Sequence, residues 1–337
     1  GDVLRFGMMR RLIKYTLIVK KEWGGGGTQL EAGVDGMATG VDARPQDKPR
    51  AIQAPQELLH IVHGPWSRPA TAALHSLLTG KQLYAGGMNP ALLDAWIQGL
   101  PEMPLMMCDF SQFDASISAP ALQFVHDWLE DHGYPKRFRR FYKAWAAPKG
   151  RTTAGARYKG QAMNCSGRDD TALINGLLNW IVQLVGWLFA LYDLDPNDPS
   201  ALDRITHEQV VRVVDALHLI FLGDDSLSGI EGATAEMRSK VERFINNCGF
   251  KCKIATCDRK DEAVFLGSRP YAAVVDGVET LAWGPTLGRR MYKHHCMLRP
   301  EVDRLRWLRG VAQFEVQSYA HVPFLYESAV AAMEATR

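Results

Sequence analysis

The sequence predicts an α+β fold from three observations. Leu105 to Cys108 form an apolar run that meets an acid at Asp109. His218 to Leu222 form a second run, which breaks at Gly223-Asp224-Asp225 and resumes at Ser226 to Ile230, as in strand, tight turn and strand. Around these runs lie long segments of helical periodicity with capping residues at their ends. The chain has 337 residues, 47% apolar and 23% charged, so it is long enough to bury a core without disulfide or metal staples. This is ordinary globular composition and excludes a disordered or collagen-like chain.

In chain order, the first hundred residues are rich in turn formers. A basic opening from Arg5 to Lys21 leads to the tetraglycine Gly24 to Gly27, then to Lys48-Pro49-Arg50. Pro65 and Pro69 punctuate a helical pattern that ends near Gly80. The apolar run before Asp109 reads as a buried strand ending in an acid. Ser118 can cap the next helix, Pro120 suits its first turn and Gly133 its C-terminal cap. Ala172 to Tyr192 are almost continuously apolar over about 20 residues, enough to cross a bilayer. Thr171, Asn175, Asn179 and Gln183, however, recur every fourth residue and form one polar stripe on a helix. A buried helix with its stripe towards a working cavity fits that pattern, and no membrane span is expected. Thr234 can cap a helix that stops at Gly249, Val274 to Val278 carry a hairpin signal around Asp276-Gly277, and the pattern after Pro300 is helical.

Charge is balanced overall, with 39 basic against 37 acidic side chains, but unevenly placed. His132 to Arg168 hold ten basic residues and no acid, interleaved with Tyr134, Phe138, Phe141, Tyr142, Trp145 and Tyr158. Asp193 to Glu231 hold nine acids against Arg204 and Arg212. Polyanion binding beside a cation site has this signature, as do two solvated faces of opposite sign. The six cysteines form no paired framework and no secretory signal opens the chain, so reduced thiols are expected. Cys248, Cys252 and Cys257, with His294, His295 and Cys296, lack the C-x2-C spacing of a zinc knuckle. A chain opening on Gly1 is expected of a fragment or processed product.

The chemistry is concentrated in the acids. If the strands that carry Asp109 and Asp224 lie side by side, their carboxylates meet and repel unless divalent cations neutralise them. Hard oxygen ligands suit magnesium, which accepts substrate phosphates, and a pair of ions can serve both oxygens of a phosphoryl transfer. Taken singly these signals are weak, since turns favour Gly and Asp for structural reasons.

Their order is informative. Asp109-Phe-Ser-Gln-Phe-Asp114 is followed by Ser166-Gly167 with Thr171 and Asn175, and then by Leu222-Gly-Asp-Asp-Ser226. Gly249-Phe250-Lys251-Cys252-Lys253 and Phe265-Leu266-Gly267-Ser268 come next. These five segments resemble motifs A to E of the palm of positive-strand viral RNA-dependent RNA polymerases, and Lys48 to Ile52 are similar to the basic finger motif F. The Phe265–Ser268 turn and the Arg- and His-rich segment after it look most like the noda- and tombus-like branches. The resemblance spans roughly Arg44 to Arg299.

The resemblance implies a right-hand polymerase with a small antiparallel palm sheet backed by helices. Fingers would occupy 1–103 and a basic insertion at 133–165, the palm 104–132 and 166–284, and the thumb 285–337. It implies template-directed RNA synthesis from nucleoside triphosphates, with two Mg2+ ions (Mn2+ substituting) on Asp109, Asp224 and, as an accessory, Asp225. Lys253 would be the proton donor to pyrophosphate, in preference to Lys251 or Lys260. Lys48 and Arg50 would grip the triphosphate. Asp114 and Asn175 would read the ribose 2′-hydroxyl, while Ser166, Gly167 and Thr171 would shape the nucleotide loop. Asp169-Asp170 would belong to that loop rather than to a metal site.

RNA would lie along Arg137, Arg140, Lys149, Arg151, Arg289 and Arg290. Other replicase segments and host membranes are implied as partners through regions outside this chain, in membrane-associated complexes of the host cytoplasm. Two other readings are a reverse transcriptase or terminal nucleotidyltransferase, and a non-catalytic RNA-binding part of a replication complex. A reverse transcriptase is opposed by Asp114 with Asn175, since it is expected to carry a bulky apolar side chain at the position of Asp114, while template dependence would test a terminal nucleotidyltransferase. The second is opposed by the presence of every acid the chemistry needs.

Overall fold

The structure is a computed structural model and describes residues 14–20, 50–55, 57–78, 80–139, 142, 147–152, 155–160, 162–275, 277–288, 290 and 302–336. In chain order its elements begin with β1 (Lys14–Lys20), β2 (Arg50–Ala54), α1 (Glu57–Leu77), β3 (Gln82–Tyr84) and α2 (Pro90–Gly99). Then come β4 (Leu105–Ser111), a helical turn at Phe113–Ser116, α3 (Ala119–Asp131), β5 (Lys149–Thr152), β6 (Arg157–Lys159), α4 (Thr171–Leu191) and α5 (His207–Ala216). The chain continues through β7 (His218–Leu222), β8 (Asp225–Gly229), α6 (Ala235–Asn247) and β9 (Lys251–Cys257). It closes with β10 (Ser268–Val275), β11 (Val278–Pro285), α7 (Arg304–Ser318) and α8 (Pro323–Ala335).

Two compact units emerge, one built mainly from Arg50–Asn89 and Leu100–Arg259, the other from Pro90–Gly99 and Lys260–Arg337. The first holds two sheets. Its central sheet runs β3-β7-β8-β4-β9. Four of these strands pair antiparallel as expected, but β3 joins β7 in parallel, so the sheet is mixed. Three residues are too few for an apolar pattern to announce such an edge strand. A second difference concerns Asp109. The strand does not end there, because pairing with β9 continues through Ser111, and Asp109 lies inside β4.

One face of this sheet is buried and the other open, which follows from the alternation of strand side chains. Met106, Cys108 and Phe110 are buried, while Asp109 and Ser111 are exposed. Against the buried face lie α4 and α6, with Trp187, Phe189, Val241 and Ile245 in the core. The helix α4 is long and apolar enough to span a membrane, yet most of it is buried among the unit's own side chains. Ser118 caps α3 by accepting from the Ala121 N–H at 3.3 Å, and Thr234 caps α6 from Met237 at 3.2 Å. Each such cap is worth about 1 kcal/mol. Pro65 and Pro69 do not interrupt α1, which continues through both. The second sheet is ordered β2-β1-β5-β6.

The other unit is centred on the β10–β11 hairpin. Trp283 donates its backbone N–H to Asp94 Oδ1 at 2.7 Å and its indole N–H to the Leu93 carbonyl at 3.0 Å, seating α2 on β11. The Phe265–Ser268 turn is closed by reciprocal backbone bonds of 2.9 Å, with positive φ at Leu266 and Gly267. The hairpin thus groups with the C-terminal helices in one compact unit.

Candidate active site

Strand register assembles the acids. Cys108 pairs with Ser226 across β4–β8, and one further step sets Asp109 opposite Asp225. Across β4–β9, Asp109 pairs directly with Lys253. Directly opposed residues share a face of an antiparallel pair, and adjacent strands lie about 4.8 Å apart. One transverse row of the open face therefore reads Asp225, Asp109, Lys253, and all three side chains are exposed. Asp224 sits beside the row on the two-residue turn between Leu222 and its partner Asp225. Gly223 has φ +61° and Asp224 has no positive φ, the II′ pattern that suits the twist of a hairpin. Lys251 faces Ser111, two residues beyond Asp109, so register singles out Lys253 as the lysine beside the acids.

The polar stripe of α4 serves both the sheet and the loop before the helix. Thr171 Oγ1 donates to the Cys165 carbonyl at 2.8 Å. Asn175 Nδ2 donates to Asp114 Oδ1 at 2.7 Å, and Asn175 Oδ1 accepts from Asn164 Nδ2 at 2.8 Å. Asn179 Nδ2 reaches the carbonyls of Gly223 and Asp224, both at 3.1 Å. Gln183 Nε2 donates to Cys108 Sγ at 2.8 Å and Ser226 Oγ at 3.2 Å, and Ser228 Oγ donates to Gln183 Oε1 at 3.1 Å. The stripe therefore spends two members on the sheet and its turn, and two at the loop and Asp114. Burial pushes the Asp114 carboxyl above the usual carboxylate range. The bond from Asn175 opposes that rise, and the nearby Asp224 charge adds to it.

The loop that carries Ser166 and Gly167 is held from both sides. The Gly167 N–H donates to the Gln53 carbonyl at 3.0 Å, the Gln53 N–H to Ser166 Oγ at 3.3 Å, and Cys165 Sγ to Gln53 Oε1 at 2.9 Å. From the helix side, His63 Nδ1 lies 3.2 Å from Asp169, its Nε2 3.6 Å from Asp170, and Arg168 pairs with Asp170 at 2.6 Å. By residue type His63, Asp169 and Asp170 could hold a cation. The imidazole, however, offers its two nitrogens to different carboxylates and a guanidinium already occupies Asp170. The group joins α1 to the loop and anchors it. Burial alone would raise the Asp169 carboxyl, but the hydrogen bond and charge of His63 outweigh it and hold it low. Sequence spacing gave no sign of Gln53 or His63, each more than a hundred residues from its partners.

Of the other expected residues, Arg50 opens β2 opposite Lys20 in the backbone register, and Lys48, Arg140 and Arg289 lie outside the described residues. Arg137 is exposed and lies over the Trp66 ring at 5.8 Å. Arg290 is ion-paired to Glu315, itself fully buried on α7, so its charge is matched within its own unit.

Lys149 and Arg151 stand on β5 opposite Lys159 and Arg157 of β6. Four exposed cations thus form two like-charged cross-strand pairs on one face, an arrangement that costs stability until an anion covers it. The other face fixes the register. Tyr158 lies so close over Gly150 that a Cβ there would come within 2.1 Å of the ring. Replacing Arg157 with threonine is expected to leave thermal stability unchanged or higher, while lowering affinity for a phosphate polyanion such as RNA. The slope of log affinity against log salt should fall by about 0.7 for each phosphate that is no longer neutralised. Salt-titrated RNA binding beside thermal melts checks both signs.

Three exposed carboxylates, on two facing strands and the adjoining turn, have the hard oxygen character a divalent cation takes, and Asp109, Asp224 and Asp225 are the residues that would hold it.

Comparisons with known proteins bear on the fold and the family. Two solved structures are similar to the chain. The Sicinivirus 3Dpol RNA-dependent RNA polymerase matches with a TM-score of 0.66 at 16% identity, over 96% of this chain and 62% of that one. An insertion-loop deletion mutant of the RNA-dependent RNA polymerase of a human picobirnavirus matches with a TM-score of 0.61 at 15% identity, over 87% and 55%. The chain thus spans about three-fifths of the length of the structures it resembles. No curated protein sequence matches it. The family model for viral RNA-dependent RNA polymerase matches residues 82–321, a stretch that contains Asp109, Asn175, the Gly223–Asp225 turn and Lys253. With the fold, the ordered motifs and this match in agreement, the chain belongs to the viral RNA-dependent RNA polymerase family.

Proposed function

We propose that the chain carries out template-directed RNA synthesis, joining nucleoside triphosphates to an RNA 3′-hydroxyl. The observation that carries this reading is the row Asp225–Asp109–Lys253, with Asp224 on the adjoining turn and the Asp114–Asn175 pair just beyond the end of β4. A divalent cation bound to the carboxylates would neutralise phosphate charge and make the attacking hydroxyl more acidic. Asp109 and Asp224 supply the charge that draws such a cation and fix where it sits, and Asp225 contributes from the same face as Asp109. In the reaction the 3′-hydroxyl gives up its proton to solvent, its oxygen bonds to the α-phosphorus, the bond from that phosphorus to the bridging oxygen breaks, and pyrophosphate leaves. Lys253, exposed beside Asp109, donates a proton to the departing pyrophosphate. Lys48 and Arg50 offset the triphosphate charge. Ser166, Gly167 and Thr171 shape the loop under the nascent pair, and Arg137, Arg140, Lys149, Arg151 and Arg289 track RNA phosphates. Arg290 contributes to that track only through the part of its guanidinium left by Glu315.

The finer features belong to the same proposal. The cations are two Mg2+ ions, with Mn2+ able to replace them, and the acceptor is viral RNA copied for replication and transcription. The Phe265–Ser268 turn supports a place in the noda-/tombus-like branch. The fingers, palm and thumb follow the boundaries set out from the sequence. Partners include other replicase segments and host membranes, in membrane-associated complexes of the host cytoplasm. The deciding experiment is nucleotide incorporation on a primed RNA template with Mg2+ or Mn2+, offering NTPs and dNTPs separately. Ribonucleotide extension supports the proposal. RNA binding without any extension would favour a non-catalytic RNA-binding role.

A further inference from the structure

Asn179 carries no role in the chemistry described so far, yet it is fully buried and its amide points at the catalytic turn. Its Nδ2 lies 3.1 Å from the Gly223 carbonyl, 3.1 Å from that of Asp224 and 3.4 Å from that of Asp225. Its Oδ1 accepts from Ser226 Oγ at 3.3 Å, and Ser226 is in turn held by Gln183. One side chain therefore ties down the backbone of every residue in the turn and the first residue after it.

We infer that Asn179 is a positioning residue that holds the Gly223–Asp225 backbone so that both carboxylates stay on the open face beside Asp109. This inference rests on the polymerase reading of the site. The adjacent carboxylates of Asp224, on the turn, and Asp225, just after it, repel each other and Asp109, and a turn held only by its flanking strands would relieve that repulsion by splaying. Buried donors on the carbonyl side oppose it. The requirement is specific to a carboxamide, which alone at that size presents N–H groups to carbonyls and an oxygen to a hydroxyl. Aspartate would set a carboxylate against the turn's carbonyl oxygens, and alanine would leave those oxygens without their donor. Asn179 follows Asn175 by four residues, so the same helix face fixes the ribose-reading pair and, one turn later, the cation-holding turn.

The test compares the wild-type chain with Asn179→Ala and Asn179→Asp, using Mn2+ as probe. Calorimetric Mn2+ binding and the metal dependence of RNA extension are both read well below the melting temperature of each variant. Expected is a weakening of Mn2+ binding by about 10–100-fold, the usual effect of losing a residue that orients ligands, with a matching rise in half-saturating metal. Discrimination between NTPs and dNTPs should hold. Asn175→Ala should show the reverse pattern, with discrimination lost and Mn2+ affinity kept. Should the Asn179 variants fail to fold, Ser226→Ala removes only the hydroxyl that orients the carboxamide, and a smaller loss in Mn2+ affinity is expected. A variant that melts lower but binds Mn2+ as tightly as wild type would overturn the inference, as would equal affinity in folded Ser226→Ala. Failure of the polymerase reading looks different: wild type then binds Mn2+ without extending RNA, and the binding comparison still decides the role of Asn179. Absence of Mn2+ binding by wild type overturns the inference outright.

Discussion

Asp224→Ala is expected to stop RNA extension while leaving the fold in place. The side chain is exposed on a two-residue turn whose conformational demand is met by Gly223, so alanine at the second position introduces no backbone strain. Removing one of three neighbouring carboxylates also lessens their mutual repulsion, and the melting temperature should hold or rise slightly. The chemistry has no such tolerance. In the proposed reaction the charge of Asp224 lies where the transferring phosphoryl group would be held and cannot be replaced by water, and loss of a group of this kind costs roughly 10³-fold in rate. Asp109→Ala should behave alike, since Asp109 occupies the middle of the row between Asp225 and Lys253. Asp225→Ala should retain more activity, as the accessory member. Rates of primed extension for the three variants, beside their melting curves, check the order. Activity retained in Asp224→Ala would remove the basis for placing catalysis at this turn.

Parts of this site are readable in the sequence because they depend on local chemistry. The period-four stripe of Thr171, Asn175, Asn179 and Gln183 reports a helix with one polar face, and the hydrogen bonds of all four lie on that face. Gly223 announces its turn because only glycine takes that φ freely, and Ser118 and Thr234 announce their helices by capping chemistry. What escapes the sequence depends on pairing over distance. Nothing near Asp109 says that β9 continues beside it to Ser111, because that pairing is decided by residues more than a hundred positions away. Pro65 and Pro69 signal a helix break, yet α1 persists through both, with Leu59, Ala70 and Leu74 buried along it. Tertiary burial there outweighs the lost backbone bonds. The three-residue edge β3 and the Gln53 clamp carry no periodicity at all. The ten basic residues between His132 and Arg168 are plain in the sequence, but their opposition as Lys149–Lys159 and Arg151–Arg157 requires the register.

Asp114→Ala is expected to erode the preference for NTPs over dNTPs. The reason lies in the hydrogen-bond capacity of Asn175. A carboxamide has two N–H donors and an oxygen with two lone pairs. Asp114 takes one N–H and Asn164 fills one lone pair, which orients the group and leaves one donor and one lone pair for a ligand. A ribose 2′-hydroxyl both donates and accepts, so it satisfies that remainder, whereas a deoxyribose leaves both buried groups unpaired. Asn175 is almost wholly buried, so water cannot freely compensate for the missing hydroxyl. Without Asp114 the carboxamide loses one of its two anchors and is free to turn, and the penalty against a deoxy substrate shrinks by about 10–100-fold, the equivalent of one buried hydrogen-bond partner. The change should come mainly through weaker use of NTPs, because the substitution offers a dNTP no new hydrogen bond. Asn175→Ala should erode the preference further, as it removes the reading group itself rather than its support. Competing incorporation of matched NTP and dNTP pairs measures the ratio directly. A ratio unchanged in both variants would mean that the sugar is read elsewhere, and that the Asp114–Asn175–Asn164 chain serves only to join the helical turn at Phe113–Ser116 to α4.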